Sequence, residues 1–184
     1  MELTILATSD LHGYILPTNF TEREMDLPFG AARVATKIKE IESKVKGPVL
    51  KIENGDFIQG SPLSYYVRKN EQHGAKAIID IQYDASIIGN HEFNYGIDYL
   101  ASAIASYNHP VLAANIENEA GEVAFGQPYM LIEKDGLKVA VLGMVTQYIP
   151  HWEQPETIRG LRFKSMVETA KAYVPKLREE ADVV

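Results

Sequence analysis

Leu3-Thr4-Ile5-Leu6-Ala7-Thr8-Ser9-Asp10-Leu11-His12 is a β-rich apolar run that empties directly into polar residues, and its reading decides the fold. A short apolar run bounded by turn formers reads as a buried strand ending in a loop. The same pattern returns twice. Val49-Leu50-Lys51-Ile52 runs into Asn54-Gly55-Asp56, and Ala85-Ser86-Ile87-Ile88 runs into Gly89-Asn90-His91-Glu92. Between these units the period changes. From Ala31 to Ile41, Val34, Ile38 and Ile41 fall on one helical face, and Gly47-Pro48 ends the segment. Shorter helical stretches are expected from Pro62 to Arg68 and from Ala75 to Ile81. Strands alternating with helices predict an α/β sandwich with a largely parallel sheet. Such sheets carry their sites in the loops at the carboxyl ends of strands, where Asp10, Asp56 and Asn90 all fall.

Downstream, a helix is expected from Ile97 to Ala105, a fourth strand from Val111 to Asn115, and a hairpin joining Tyr129–Glu133 to Lys138–Gly143 around Asp135-Gly136. A charged amphipathic helix should run from Phe163 to Glu180, with Pro175 as a kink or break, and Ala181 to Val184 read as the opening of another strand. No repeat or linker marks a second domain, and 184 residues are enough to bury a sizeable core.

Composition excludes several classes. With no cysteine there are no disulfides, thiolate zinc sites or cysteine nucleophiles. A net charge of −7 argues against a grip on polymeric nucleic acid, which needs clustered lysine and arginine. No apolar stretch approaches the roughly 20 residues of a membrane span. The N-terminus shows no signal peptide, so the chain as it stands reads as cytoplasmic, or as exported if a leader was removed.

The polar tips carry the chemistry. An acid and an imidazole two apart in extended backbone project to one side and can ligate one metal, as Asp10 and His12 could. Either pair alone is also ordinary turn chemistry, as is Gly55-Asp56. Gly89-Asn90-His91-Glu92 says more, because a merely structural loop has no need of an adjacent amide and imidazole just past an apolar strand. The conjunction of Asp-x-His, Gly-Asp and Gly-Asn-His-Glu, each after its own strand, is what decides.

That series resembles the calcineurin-like metallophosphoesterases. Leu3–His12, Gly55–Pro62, Gly89–Gly96 and Ala113-Ala114-Asn115 further resemble the 5′-nucleotidase group, and within it most the 2′,3′-cyclic-nucleotide 2′-phosphodiesterase/3′-nucleotidase branch. The resemblance implies a four-layer α/β/β/α sandwich of metallophosphoesterase type, truncated after about its first half. Residues 1–184 would be the N-terminal portion of the catalytic domain, with a C-terminal nucleotide-binding domain absent. It implies two divalent cations, Mn, Zn, Fe or similar, about 3.5–4 Å apart, which supply hydroxide for hydrolysis of a small-molecule nucleotide substrate. Asp10 and His12 would serve the first metal, Asp56 would bridge, and Asn90 would serve the second through its amide oxygen. His91 would be the catalytic acid or charged donor, a role worth roughly 10²–10⁴ in rate.

Two departures stand out. Asn94 replaces the aspartate that forms a His-Asp dyad in 5′-nucleotidases, which favours the cyclic-phosphodiesterase branch. None of His73, His109 and His151 lies in a motif matching the family's later metal ligands, so they read as surface or loop residues. Tyr65, Tyr66, Tyr95 and Tyr148 read as packing, while Trp152 is kept as a residue lining the cleft. Three readings remain: an enzyme domain, a fragment with the fold but an incomplete dinuclear site, and a non-catalytic small-molecule-binding domain.

Overall fold

A computed structural model describes residues 2–19, 21, 26–69 and 81–184. Its first strand, β1 (Thr4–Thr8), is followed by α1 (Ala31–Glu42), β2 (Val49–Glu53), α2 (Pro62–Lys69), β3 (Ala85–Ile87), α3 (Ile97–Ala105) and β4 (Val111–Leu112). The four strands form one sheet in the order β1-β2-β3-β4, with every neighbouring pair parallel. The register runs from Thr4 opposite Val49 to Thr8 opposite Glu53, and Glu53 in turn faces Ser86. Three strands therefore end nearly level, and the loops after them emerge from one edge. The helix expected from Ala75 to Ile81 falls almost wholly outside the described residues.

The second half adds β5 (Ile116–Glu117), β6 (Tyr129–Lys134), β7 (Leu137–Leu142), β8 (Arg162–Phe163) and α4 (Met166–Glu180). Strands β6 and β7 form the expected hairpin. Its turn residues, Asp135 and Gly136, have φ of 52° and 80°, the double positive φ of a turn that matches strand twist.

Alternation along β2 assigns the two faces of the sheet. Leu50 and Ile52 pack with Ala85, Ile87 and Leu112 against Met130 and Val139 of the hairpin. On the other face a second cluster joins Ile38 of α1, Leu100 and Ala103 of α3, and Phe57 and Phe93 from the loops after β2 and β3. Helix α4 covers the hairpin, with Tyr173 edge-on to Tyr129 at 5.9 Å and Leu177 buried. The layers are α/β/β/α, as the resemblance implies. Among the described residues no helix is long and apolar enough to cross a membrane.

The larger departures from the sequence reading lie at the fourth strand and the last helix. The strand expected over 111–115 pairs only at Val111 and Leu112. The Ala113 and Ala114 amides instead donate to Gln127 and Gly143, because here the chain leaves the parallel sheet for the hairpin layer. The last helix begins at Met166, not Phe163. Phe163 is paired to Ile116 in β5, and the Ser165 hydroxyl accepts the Glu168 amide hydrogen as an N-cap. That helix also continues through Pro175 without a break. Val183 does begin to pair, bridging Val139 in parallel and accepting the Ala140 N–H at 2.8 Å.

One interior group makes stability depend on pH. Glu53 is 1% exposed. Burial first, then the neighbouring Glu92 carboxylate, pushes its carboxyl well above the usual carboxylate range, against hydrogen bonds from Gly55 and Ser86. A folded value above the unfolded one means the fold binds the extra proton. The stability this contributes is complete below the unfolded value and is lost as pH rises through the folded one. Glu53→Gln keeps an acceptor for the Gly55 N–H while removing the titration. Its unfolding free energy relative to the parent should increase as pH rises above the ordinary carboxylate range and level off once the raised folded value is passed, read by thermal or urea unfolding. An offset that stays constant with pH would contradict this account.

Candidate metal centre

The loop after β1 is laid onto the loop after β2 by backbone bonds. The Asp10 amide donates to the Gly55 carbonyl at 3.1 Å, the His12 amide to the Asp56 carbonyl at 2.8 Å, and the Ser61 amide to the His12 carbonyl at 2.8 Å. Asp10, His12 and Asp56 all adopt left-handed backbone, with φ of 57°, 47° and 59°. Among the described residues only Gln82 and Asp135 are other non-glycine residues with positive φ. Each such residue costs roughly 1–2 kcal/mol, and strain of this kind concentrates where the fold holds functional groups. The structure thus corrects one step of the sequence reading. Asp10 and His12 do not share a side through extended backbone; a left-handed turn brings the Asp10 carboxylate to 3.9 Å from His12 Nε2.

The β2 and β3 loops are joined by Glu92, 4% exposed. Its Oε2 accepts the amides of Asp56 and Gly89 at 2.8 and 2.7 Å, and its Oε1 those of Phe57 and Ile58 at 2.6 and 3.3 Å. Burial raises this carboxyl and the donated N–H bonds oppose the rise. Asp56 answers across the same seam, its Oδ1 accepting the His91 amide at 2.7 Å. Gly55 and Gly89 meet back to back, so closely that a methyl group on Gly55 would run into the Gly89 backbone.

These contacts bring His12, Asp56 and His91 together, with one ligand atom of each within 4.8 Å of the other two. The two rings stand 5.1 Å apart at 70°. His12 Nδ1 lies 2.8 Å from the Gln59 carbonyl, which can only accept, so that nitrogen carries the proton and Nε2 is the free ligand atom. Asp10 stands at the rim, its side chain 64% exposed, and reaches this group through His12. Asn90 occupies the same loop between Gly89 and His91, in right-handed backbone. An acid, an imidazole, a bridging-capable buried carboxylate and an amide form an oxygen and nitrogen donor set that suits divalent transition metals, so the residues fit the expected cations. A cavity of about 290 Å³ opens beside Asp10, lined also by Tyr14, Asn19 and Phe29.

Behind His91, its Nδ1 lies 2.7 Å from Asn94 Oδ1, and the Asn94 amide donates to Glu153 Oε1. Sequence reading missed Glu153, and gave no role to Glu92 or Glu53. Asn115, noted as part of a motif, is a structural bracket. Fully buried, it donates to the Val145 and Lys164 carbonyls and accepts the Val145 amide.

The remaining histidines and aromatic residues are more varied than expected. His109 is in a loop but turns inward, its Nε2 2.7 Å from Ser86 Oγ, and burial lowers its affinity for a proton. His151 is exposed and stacks on Tyr148 at 4.1 Å. His73 lies outside the described residues. Tyr95 packs edge-on to Tyr99 at 5.4 Å, as expected. Tyr65, Tyr66 and Tyr148, read as packing, are exposed instead, because their loops and helix lie at the surface. Trp152 is 57% exposed, edge-on to Tyr148, one residue before Glu153.

Comparison with known proteins agrees with this geometry. Residues 3–182 match the calcineurin-like phosphoesterase family. The chain is 34% identical over 200 residues to a 2′,3′-cyclic-nucleotide 2′-phosphodiesterase/3′-nucleotidase of Salmonella typhimurium, a match covering all of this chain and 31% of that protein. It is 33% identical to a 5′-nucleotidase of Vibrio vulnificus over 97% of this chain and 31% of the relative. Among solved structures, the calcineurin-like phosphoesterase YfkN of Bacillus subtilis superposes with a TM-score of 0.86 at 30% identity, covering 98% of this chain and 60% of that one. The chain spans about a third of the length of these two curated relatives. Parallel strands ending level, loop tips that converge on His12, Asp56 and His91, and a family match over nearly every residue lead to one conclusion: the chain belongs to the calcineurin-like phosphoesterases.

Proposed function

We propose that this chain is the N-terminal portion of a phosphoesterase catalytic domain that hydrolyses nucleotide phosphoesters, 2′,3′-cyclic phosphodiesters foremost. The observation that carries it is the convergence of His12, Asp56 and His91 at the carboxyl ends of neighbouring parallel strands. Asp10 and His12 would hold one divalent cation, Asp56 would bridge to a second, and Asn90 would hold that second one. When bound, the cations supply Lewis acidity toward the phosphoryl oxygens and a nucleophile at neutral pH. The chain's own part is positional and protonic. Glu92 and Gly55 hold the loops in register, and a doubly protonated His91 would give the proton on Nε2 to the departing oxygen while keeping the one on Nδ1. The cyclic substrate is supported by the Salmonella relative's name and by Asn94, an amide that orients the His91 ring but stabilises its charged form less than aspartate would.

A second reading is favoured by ligand count and by the relatives' length: these residues alone hold the fold and one cation weakly. Manganese titration followed by electron paramagnetic resonance addresses both. The chain should bind Mn²⁺. Asp56→Asn, which preserves an acceptor for the His91 amide, should weaken binding at least about 100-fold while the metal-free fold stays intact. Hydrolysis of a bis-aryl phosphate is then measured on this chain and on a form lengthened to the relatives' extent. Activity only in the longer form supports the second reading for these 184 residues. Inactivity of both, with His91→Asn no different from the parent, removes the catalytic proposal.

A further inference from the structure

We propose that Glu153 is a positioning residue for His91, fixing the amide of Asn94 and through it the tautomer and aim of the imidazole; the inference rests on the reading that His91 serves the reaction. Glu153 is held in place from two sides. Its amide donates to the carbonyl of fully buried Ile149 at 3.0 Å, and its Oε2 lies 3.2 Å from the Thr157 hydroxyl, whose hydrogen is shared with the Gln154 carbonyl at 2.8 Å. Its Oε1 faces the Asn94 side chain. A carboxylate only accepts, so the Asn94 NH₂ must face it, and the Asn94 carbonyl oxygen must therefore face His91. That oxygen, 2.7 Å from His91 Nδ1, also only accepts. The ring proton is thereby assigned to Nδ1, and Nε2 is left as the unprotonated nitrogen of the neutral ring.

Asparagine alone could not make this assignment, since its amide presents either a donor or an acceptor after a half-turn about the last side-chain bond. An aspartate at 94 would need no such help. With asparagine there, the anionic group stands one amide farther from the ring, on a loop that precedes the last helix. Asn94 and Glu153 thus form a matched pair, and the combination of two carboxylates at these positions is a mismatch.

The test reads ring nitrogens rather than turnover. The metal-free chain is labelled with ¹⁵N-histidine, and the His91 signals are identified by their loss in His91→Gln. At a pH where the ring is neutral, the parent should show a single tautomer with the proton on Nδ1. Glu153→Gln, isosteric but able to present either a donor or an acceptor, should give a mixture of tautomers, and Glu153→Ala should do the same. The pair Asn94→Asp with Glu153→Gln should restore the single Nδ1–H form, because the new amide donates to the new carboxylate and the carboxylate accepts from the ring. A His91 that keeps the Nδ1–H form unchanged in both single Glu153 variants overturns the proposal. So does a parent ring protonated on Nε2. Because no catalysis enters this measurement, loss of the functional reading, shown by the absence of hydrolysis above, is seen separately from loss of this one.

Discussion

Glu92→Gln should lower the unfolding free energy by about 3–5 kcal/mol and abolish Mn²⁺ binding, although it replaces one oxygen by nitrogen in a side chain of the same shape. The carboxylate accepts two backbone amides on each oxygen: Asp56 and Gly89 on one, Phe57 and Ile58 on the other. Whichever way a glutamine is turned, its NH₂ confronts two N–H donors, which lose their acceptor inside the protein and meet a like dipole. A buried donor left without a partner costs about 1–3 kcal/mol, so two of them outweigh the relief of no longer burying a charge. For a chain of this size the loss corresponds to about 10 °C in Tm. The binding loss follows from geometry. Two of the amides flank the Asp56 carboxylate and one begins the loop that carries Asn90 and His91, so the two halves of the candidate site part when the clamp opens. Glu92→Asp is no rescue, since the shorter stem cannot reach both loops. Thermal unfolding and manganese titration of both variants check this; a glutamine variant melting within about one degree of the parent would show that Glu92 is not the clamp.

The same clamp marks the boundary of what could be read from sequence. Apolar runs ending in polar tips are local patterns, so the parallel strands, the hairpin at Asp135-Gly136 and the polar loops that follow β1, β2 and β3 were legible residue by residue; that His91 joins His12 and Asp56 in one group came only with the structure. The family resemblance added the second pair of layers. What failed was whatever depends on partners distant in the chain. Ala113 and Ala114 have β-compatible side chains, yet their amides bond to Gln127 and Gly143, and no local signal announces where a strand leaves its sheet. Phe163 fits the helical period that follows it but is bound into a two-residue pairing with Ile116. Glu153 sits 59 residues from Asn94, too far along the chain for any local pattern to announce the contact. The expected extended backbone at Asp10 and His12 was also wrong, since both have positive φ and it is this turn that brings Asp10 within 3.9 Å of His12.

Gly55→Ala carries the other large expected effect, and comparison with Gly121→Ala isolates its cause. Both glycines have strongly positive φ, 87° and 81°, so each alanine carries a backbone cost of roughly 1–2 kcal/mol. At Gly121 nothing lies within 4 Å of where the methyl would go, and that cost is the whole effect. At Gly55 the methyl would press on the Ile88 carbonyl carbon at 3.1 Å and still harder on the Gly89 backbone. Backbone cannot swing aside as a flexible side chain can, so the strands must separate at their ends, adding about 1–3 kcal/mol of overpacking. Gly55→Ala should therefore be less stable than Gly121→Ala by that difference. More telling is the effect on the site. The Asp10 amide hangs from the Gly55 carbonyl and the Asp56 carboxylate follows in the next residue, so the displacement passes directly to both. Mn²⁺ affinity should collapse in Gly55→Ala and stay at the parent value in Gly121→Ala. If the two variants lose stability equally and both keep their manganese, close approach of the two loop backbones is not what holds His12, Asp56 and His91 in one place.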